Sequence, residues 1–188
     1  MIKFIKKYSN LLPYSKKRYK DYLDDDINDD DLEEKWYGYS IQMPQDDCTL
    51  SNAVNIFTPI LRDIILSFGL NTAWIISHEY KDMEWFNKYI KEDKLPILWN
   101  LFLKNDVVYP FKGGIKMDSN VLLSCIKNLI EYAPILSYKN IDISNMKVPL
   151  IIKLTDHITL DLLSNDEDLL NKHMTMLNTA GLKIIKYR

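Results

Sequence analysis

Charge is sorted along the first 34 residues more sharply than anywhere else in this chain. Lys3, Lys6, Lys7, Lys16, Lys17, Arg18 and Lys20 fall within residues 1–20, with no acid among them. Asp21, Asp24, Asp25, Asp26, Asp29, Asp30, Asp31, Glu33 and Glu34 follow, with no base among them. The formal net charge of the whole chain is nevertheless only −2. Carboxylates crowded in this way repel one another, and burying them without cations is costly. The acidic run must face solvent, pair with the basic segment beside it, or meet a basic surface on another molecule.

The remainder reads as one domain. A chain of 188 residues with 47% hydrophobic and 12% aromatic content has enough apolar surface to bury a sizeable core. No internal repeat and no Gly/Ser linker divides it, so residues 1–188 are expected to form a single domain with a charged segment at 1–34. Ile2, Phe4 and Ile5 are followed at once by Lys6 and Lys7, so no apolar signal core forms. The charge-free stretches 48–61 and 64–77 fall short of the roughly 18–20 apolar residues a spanning helix needs. A soluble, cytoplasmic protein with no membrane span is the expectation. Cys48 and Cys125 lie far apart and in no CxxC spacing. Cys125 falls on an apolar helical stripe and reads as a buried reduced thiol, and a single disulfide between the two stays open.

Hydrophobic periodicity gives an α+β pattern: central helices, a mixed sheet and a C-terminal hairpin–helix–strand unit. Residues 1–22 read as a basic amphipathic helix that Pro13 ends or breaks. The run 21–34 reads as a loop or a solvated helix. From Trp36 the period becomes two, with Tyr37, Tyr39, Ile41 and Met43 on one face of a strand that residues 44–47 close. A helix is expected near 50–68, kinked or split at Thr58-Pro59 and stopped at Gly69. Ala73–Ile76 reads as a short strand, and 81–92 and 96–104 as helices. Val107–Phe111 reads as extended, with a tight turn at Lys112-Gly113-Gly114. Asp118 or Ser119 caps a helix over 119–133. Residues 148–154 and 158–162 form a hairpin, Ser164 or Asn165 caps a helix that ends at Gly181, and 182–187 returns as a strand in the same sheet.

No motif names a reaction, and no catalytic residue is assigned. Asp24, Asp26 and Asn28 alternate as in a calcium loop, but Asp29 replaces the turn glycine and Lys35 the bidentate glutamate. His78, His157 and His173 have no ligand partner at metal spacing, so neither a metal nor any other cofactor is expected. Cys125, His157 and Asp156 are the residue types of a thiol catalyst, and they form the rival enzyme reading. Lys112-Gly113-Gly114-Ile115-Lys116 lacks the spacing of a phosphate loop. Phe4, Tyr8, Tyr14 and Tyr19 interleave the N-terminal cations as in single-strand binders, but the adjacent carboxylates oppose nucleic acid. His173 reads as a core histidine.

What is left is an acidic surface beside aromatic residues: Asp24, Asp25, Asp26, Asp29, Asp30, Asp31, Glu33 and Glu34, followed by Trp36 as an anchor and Tyr37. Aromatic anchors with charged rims are common in tight protein interfaces. In this character the chain resembles the cognate immunity proteins of bacterial polymorphic-toxin and contact-dependent growth inhibition systems. They are small, net-acidic α+β chains without catalytic signatures, and the shared features are general rather than a motif. The resemblance implies a non-enzymatic partner of a protein toxin, such as a nuclease, whose basic active-site surface the acidic patch would mask. The competing reading pairs the charges of 1–20 and 21–34 within the chain.

Overall fold

In a computed structural model, described for residues 2–44, 48–79, 83–85, 96–107, 111–135, 140–177 and 181–187, the chain builds one eight-stranded sheet. In chain order the strands are β1 (Ile2–Ile5), β2 (Tyr37–Gln42), β3 (Ala73–His78), β4 (Glu84–Trp85), β5 (Phe111–Lys112), β6 (Gly114–Asp118), β7 (Ile141–Asn145), β8 (Leu150–Leu154), β9 (Leu160–Ser164) and β10 (Lys183–Lys186). The helices are α1 (Lys16–Leu23), α2 (Leu50–Ser67), α3 (Pro96–Leu103), α4 (Ser119–Ile135) and α5 (Glu167–Met176). The large sheet runs β1-β6-β3-β7-β8-β9-β2-β10, and β4 with β5 forms a small separate ribbon. The α+β class is the one expected. Every ladder among the described residues is antiparallel, so strand direction is less mixed than expected.

Strand alternation divides the molecule into two layers of core. Ile41, Ile76, Ile143, Ile152 and Leu162 face α2, α3, α4 and α5 in the main cluster. Ile151 and Leu163 point the other way and meet Tyr14, Tyr19, Tyr22 and Trp36 in a second cluster. The N-terminal segment thus crosses the face of the sheet that the other helices leave open.

Several local expectations are corrected. Residues 2–5 pair as β1 with β6 and are not helical. The helix begins only after Pro13, where Ser15 caps α1 by accepting the Arg18 N–H at 3.4 Å. Residues 84–85 are strand, and the rest of the helix expected over 81–92 lies largely outside the described residues. Strands β6 and β7 were not anticipated. Helix α2 runs unbroken through Pro59. Pro59 and Asn55 lie on its exposed side, so the carbonyl that proline leaves without a donor sits where solvent can reach the helix. Asp118 caps α4 by accepting from Val121 N–H at 3.1 Å, and Asp166, not Ser164 or Asn165, caps α5 by accepting from Leu169 N–H at 3.0 Å.

Gly113 is no hairpin turn. It has φ +140, and a Cβ there would lie 2.5 Å from the Ile5 carbonyl oxygen. A side chain at that position would push β1 off the sheet edge.

The 150–164 hairpin and the C-terminal strand share the sheet as expected, with β9 and β10 on either side of β2.

Candidate functional site

Polar side chains line up across the open face of the sheet. Ser77 of β3, Asp142 of β7, Lys153 of β8, Asp161 of β9 and Ser40 of β2 are successive cross-strand partners, and all are buried. Charges in such a place must be paired. Lys153 Nζ donates to Glu79 Oε1 at 2.9 Å, and Glu79 also accepts from Asn140 Nδ2 at 2.8 Å. Asp142 lies 3.9 Å from Lys16 Nζ and accepts the Tyr19 hydroxyl at 3.2 Å. Tyr187, whose ring lies against Gly38, donates its hydroxyl to Asp161.

Helix α1 reaches this row through one of its faces. Lys16, Tyr19 and Tyr22 recur at three-residue spacing, which places them on the side toward the sheet. Lys16 also donates to Ser77 Oγ at 3.3 Å and to the His78 carbonyl at 3.2 Å. Burial pushes the Asp142 carboxyl up, while Lys153 and Lys16 pull it down; the net direction is upward. Burial, and then the charge of Asp142, push the Tyr14 and Tyr19 hydroxyls well up.

Two cavities border α1. One, of about 520 Å³, is lined by Lys16, Lys17, Lys20, Ser9, Asn10 and Ser15 among others. The second, of about 490 Å³, is lined by Lys20, Leu23, Asp24, Asp25, Asp26 and Glu79. The charge sorting of the sequence becomes two adjoining cavities of opposite sign, with Lys20 on the border of both.

The structure brings only part of the acidic run together. Asp24, Asp25 and Asp26 are exposed at the second cavity. Asp29 opens a 3-10 turn over Asp29–Asp31, and Asp30 and Asp31 are exposed. Glu33 turns back to Arg18 Nε at 3.1 Å. Glu34 is half-buried and accepts from Asn165 Nδ2. Tyr37 is half-buried beneath the Lys35 ammonium, 5.0 Å from the ring centre.

Trp36 is not a surface anchor. It is 2% exposed, with Tyr14 at 5.3 Å, Tyr19 at 5.1 Å and Tyr22 at 6.5 Å between ring centres. The acidic run is therefore tethered at its start and its end by aromatic packing, rather than fronted by an exposed ring. The N-terminal rings are equally removed from any stacking role: Tyr8, Tyr14 and Tyr19 are buried, and Phe4 packs edge-on against Phe102 and Phe111.

The residues of the thiol-catalyst reading stay apart in environment. Cys125 is buried in α4, its thiol directed to the Leu122 carbonyl at 3.4 Å and pushed up to about 12 by burial. The His157 side chain is 84% exposed and its ion-pair partner is Asp156, at 3.8 Å. A thiol so raised carries almost no thiolate at neutral pH. Both cysteines are free. His173 is buried against Phe68 at 4.9 Å, and burial, followed by Lys172, lowers its proton affinity.

The buried row was missed in the sequence, although it left a signal. Asp142, Lys153 and Asp161 are single charges inside otherwise apolar strand runs, where a partner across the ladder is required.

Comparison with family models, with curated proteins and with solved structures gives no match to this chain. Among the described residues no helix is long and apolar enough to cross a membrane.

Proposed function

We propose that this protein is a non-enzymatic binding module, an immunity protein that neutralises a cognate toxin by masking a basic surface on it. The observation that carries the reading is the exposed set Asp24, Asp25, Asp26, Asp30 and Asp31, held on a short segment between two buried aromatic points, Tyr22 and Trp36. Carboxylates presented on an anchored segment lose little conformational freedom on docking, and their field steers a basic partner inward. The partner's basic surface, such as a nuclease active site, would meet the side of α1 where the acidic cavity opens. The reading places the protein in the cytoplasm, where such a toxin acts.

Association rates test it. The full chain, used to capture the product of a neighbouring toxin gene, is compared with a variant carrying Asn at Asp24, Asp25, Asp26, Asp29, Asp30 and Asp31. The variant should fold normally and associate at least tenfold more slowly at low salt, with the difference shrinking as salt rises. Equal rates at low salt would refute the reading.

A second reading rests on the 3.1 Å Arg18–Glu33 pair and the 3.8 Å Lys17–Asp21 pair. In it the charges of 1–20 and 21–34 serve partly to hold the segment on its own sheet.

A further inference from the structure

We infer that residues 9–36 form a strap that opens as a unit while the sheet and its other helices stay folded, uncovering a charged surface that the closed molecule hides. The closed state predominates, and opening is a minor excursion. The two ends of the strap are fixed, by β1 at the sheet margin and by β2 inside the sheet. Between them the chain crosses one face of the sheet with two 3-10 turns and one helix of 8 residues.

The apolar hold of the sheet on this strap is small. In the cluster beneath it the sheet contributes Ile151 and Leu163, whereas the main cluster on the other face joins residues of most strands to four helices. Much of the covered surface is polar: Asp142, Lys153 and Asp161, with Ser40, Ser77 and Ser144. Returning such groups to water costs little, because hydration replaces the hydrogen bonds of the closed state. Trp36 Nε1, Glu34 Oε2 and Asp142 Oδ2 are buried and make no hydrogen bond among the described residues. Each gains a partner when water reaches it, so each favours the open state.

The strap coheres better than it adheres. Tyr14, Tyr19 and Tyr22 all pack on Trp36, at 5.3, 5.1 and 6.5 Å between ring centres. Arg18 pairs with Glu33 across the same segment. These contacts join its start, its helix and its end, so its parts move together. Packing is incomplete along its borders, where the two cavities at α1 and a third of about 300 Å³ open. The third is lined by Tyr22, Leu23, Asp25 and Tyr187. Side chains beside such gaps lose dispersion contacts. All three terms put the strap at the low end of local stability. Its opening draws Lys16 and Tyr19 away from Asp142 and bares Asp142, Lys153 and Asp161, a row of alternating sign on three adjacent strands.

Thiol labelling of the full chain tests the inference. Ser144→Cys places a thiol beneath the strap, where the Ser144 hydroxyl meets that of Tyr14 at 2.8 Å, and Cys48→Ser removes the exposed thiol. Cys125, buried in the main core, reports unfolding of the sheet. The new thiol should react at least tenfold faster than Cys125. Its rate should also rise less steeply with urea, because opening the strap exposes less surface than global unfolding. Leu170→Ala weakens the main core and should raise the Cys125 rate at least tenfold. It should change the rate of the new thiol less than twofold, because the open state keeps that core. If Leu170→Ala fails to fold, Ile76→Val takes its place, with at least a twofold rise expected at Cys125 alone. Hydrogen exchange of the unsubstituted chain gives a second reading: amides of α1 should show a shallower urea dependence than those of β7 and β8. Equal rates and urea slopes for the two thiols, an equal rise of both in the core variant, or α1 amides as steeply dependent on urea as β8 would overturn the inference. Toxin capture plays no part in these measurements, so this inference and the proposed function stand or fall separately.

Discussion

Tyr19, on the N-terminal helix, donates its hydroxyl at 3.2 Å to Asp142, in the middle of the sheet, and both residues are buried. One short helix thereby adds a hydrogen-bond donor to a buried carboxyl that the cross-strand Lys153 offsets only in part. Tyr19→Phe keeps the packing and deletes the donor. It should cost about 1–3 kcal/mol, the penalty for a buried acceptor deprived of its partner. Urea unfolding of the two proteins at pH 7 measures it, and an unchanged midpoint would show that the contact is energetically idle.

The raised proton affinity of Asp142 gives a pH dependence with a definite sign. The folded state holds this proton more tightly than the unfolded chain, whose carboxyl titrates near its ordinary value of about 3.9. Its contribution to stability is complete below that value and is lost as pH rises through the folded-state value. Asp142→Asn cannot titrate. The stability of wild type relative to this variant should therefore decline from acid pH upward, as read from urea midpoints at a series of pH values. A flat or rising difference would contradict the assignment.

Trp36→Ala should act on the fold. The indole fills the centre of the second core cluster, so its removal should cost about 3–5 kcal/mol. Thermal unfolding checks this. A large loss of partner binding at unchanged stability would instead restore the ring to a surface role.

Arg18 and Glu33 are both substantially exposed, at 46% and 64% of their side chains. A double-mutant cycle with Arg18→Ala and Glu33→Ala should return a coupling of about 0.2–1 kcal/mol. A coupling well above that range would favour the charge clasp as the main purpose of the sorted N-terminus.

Thiol titration separates the cysteines. Cys48 is exposed, whereas Cys125 is buried with its thiol pushed up to about 12. A thiol reagent should modify Cys48 rapidly and Cys125 only after denaturant is added. Fast modification of both in the native protein would revive the thiol-enzyme reading.

The C-terminal hairpin, α5 and β10 were legible because each carries a clean period and its own turn signal, as in the acidic first turn at Glu167 and Asp168, although the cap falls on Asp166. The N-terminus was not, because its pattern is non-local. Ile2, Phe4 and Ile5 fit a helical stripe as well as a strand, and only pairing with β6 decides between them. Trp36 and Tyr37 were placed on opposite faces of a strand, which holds. Reading Trp36 as an anchor for a partner failed, because the rings that cover it come from Tyr14, just before α1, and from Tyr19 and Tyr22 in a helix whose lysines make it look solvated. The exposure of Asp24, Asp25, Asp26, Asp30 and Asp31 is one of the outcomes the charge density allowed, whereas Glu34 is half-buried.

Both margins of the eight-stranded sheet are formed by the extremities of the chain, β1 on one side and β10 on the other. Clipping residues 2–5 bares the β6 backbone, and clipping residues 183–186 bares that of β2. Each uncovered row of N–H and C=O groups is a template for a strand from another molecule. Lys3, Lys183 and Lys186 stand on the native margins and discourage such stacking. Proteolytic trimming at either tip would thus replace a lysine-bearing margin with a less guarded one, and at β1 it would also strip Ile2 and Phe4 from the main core.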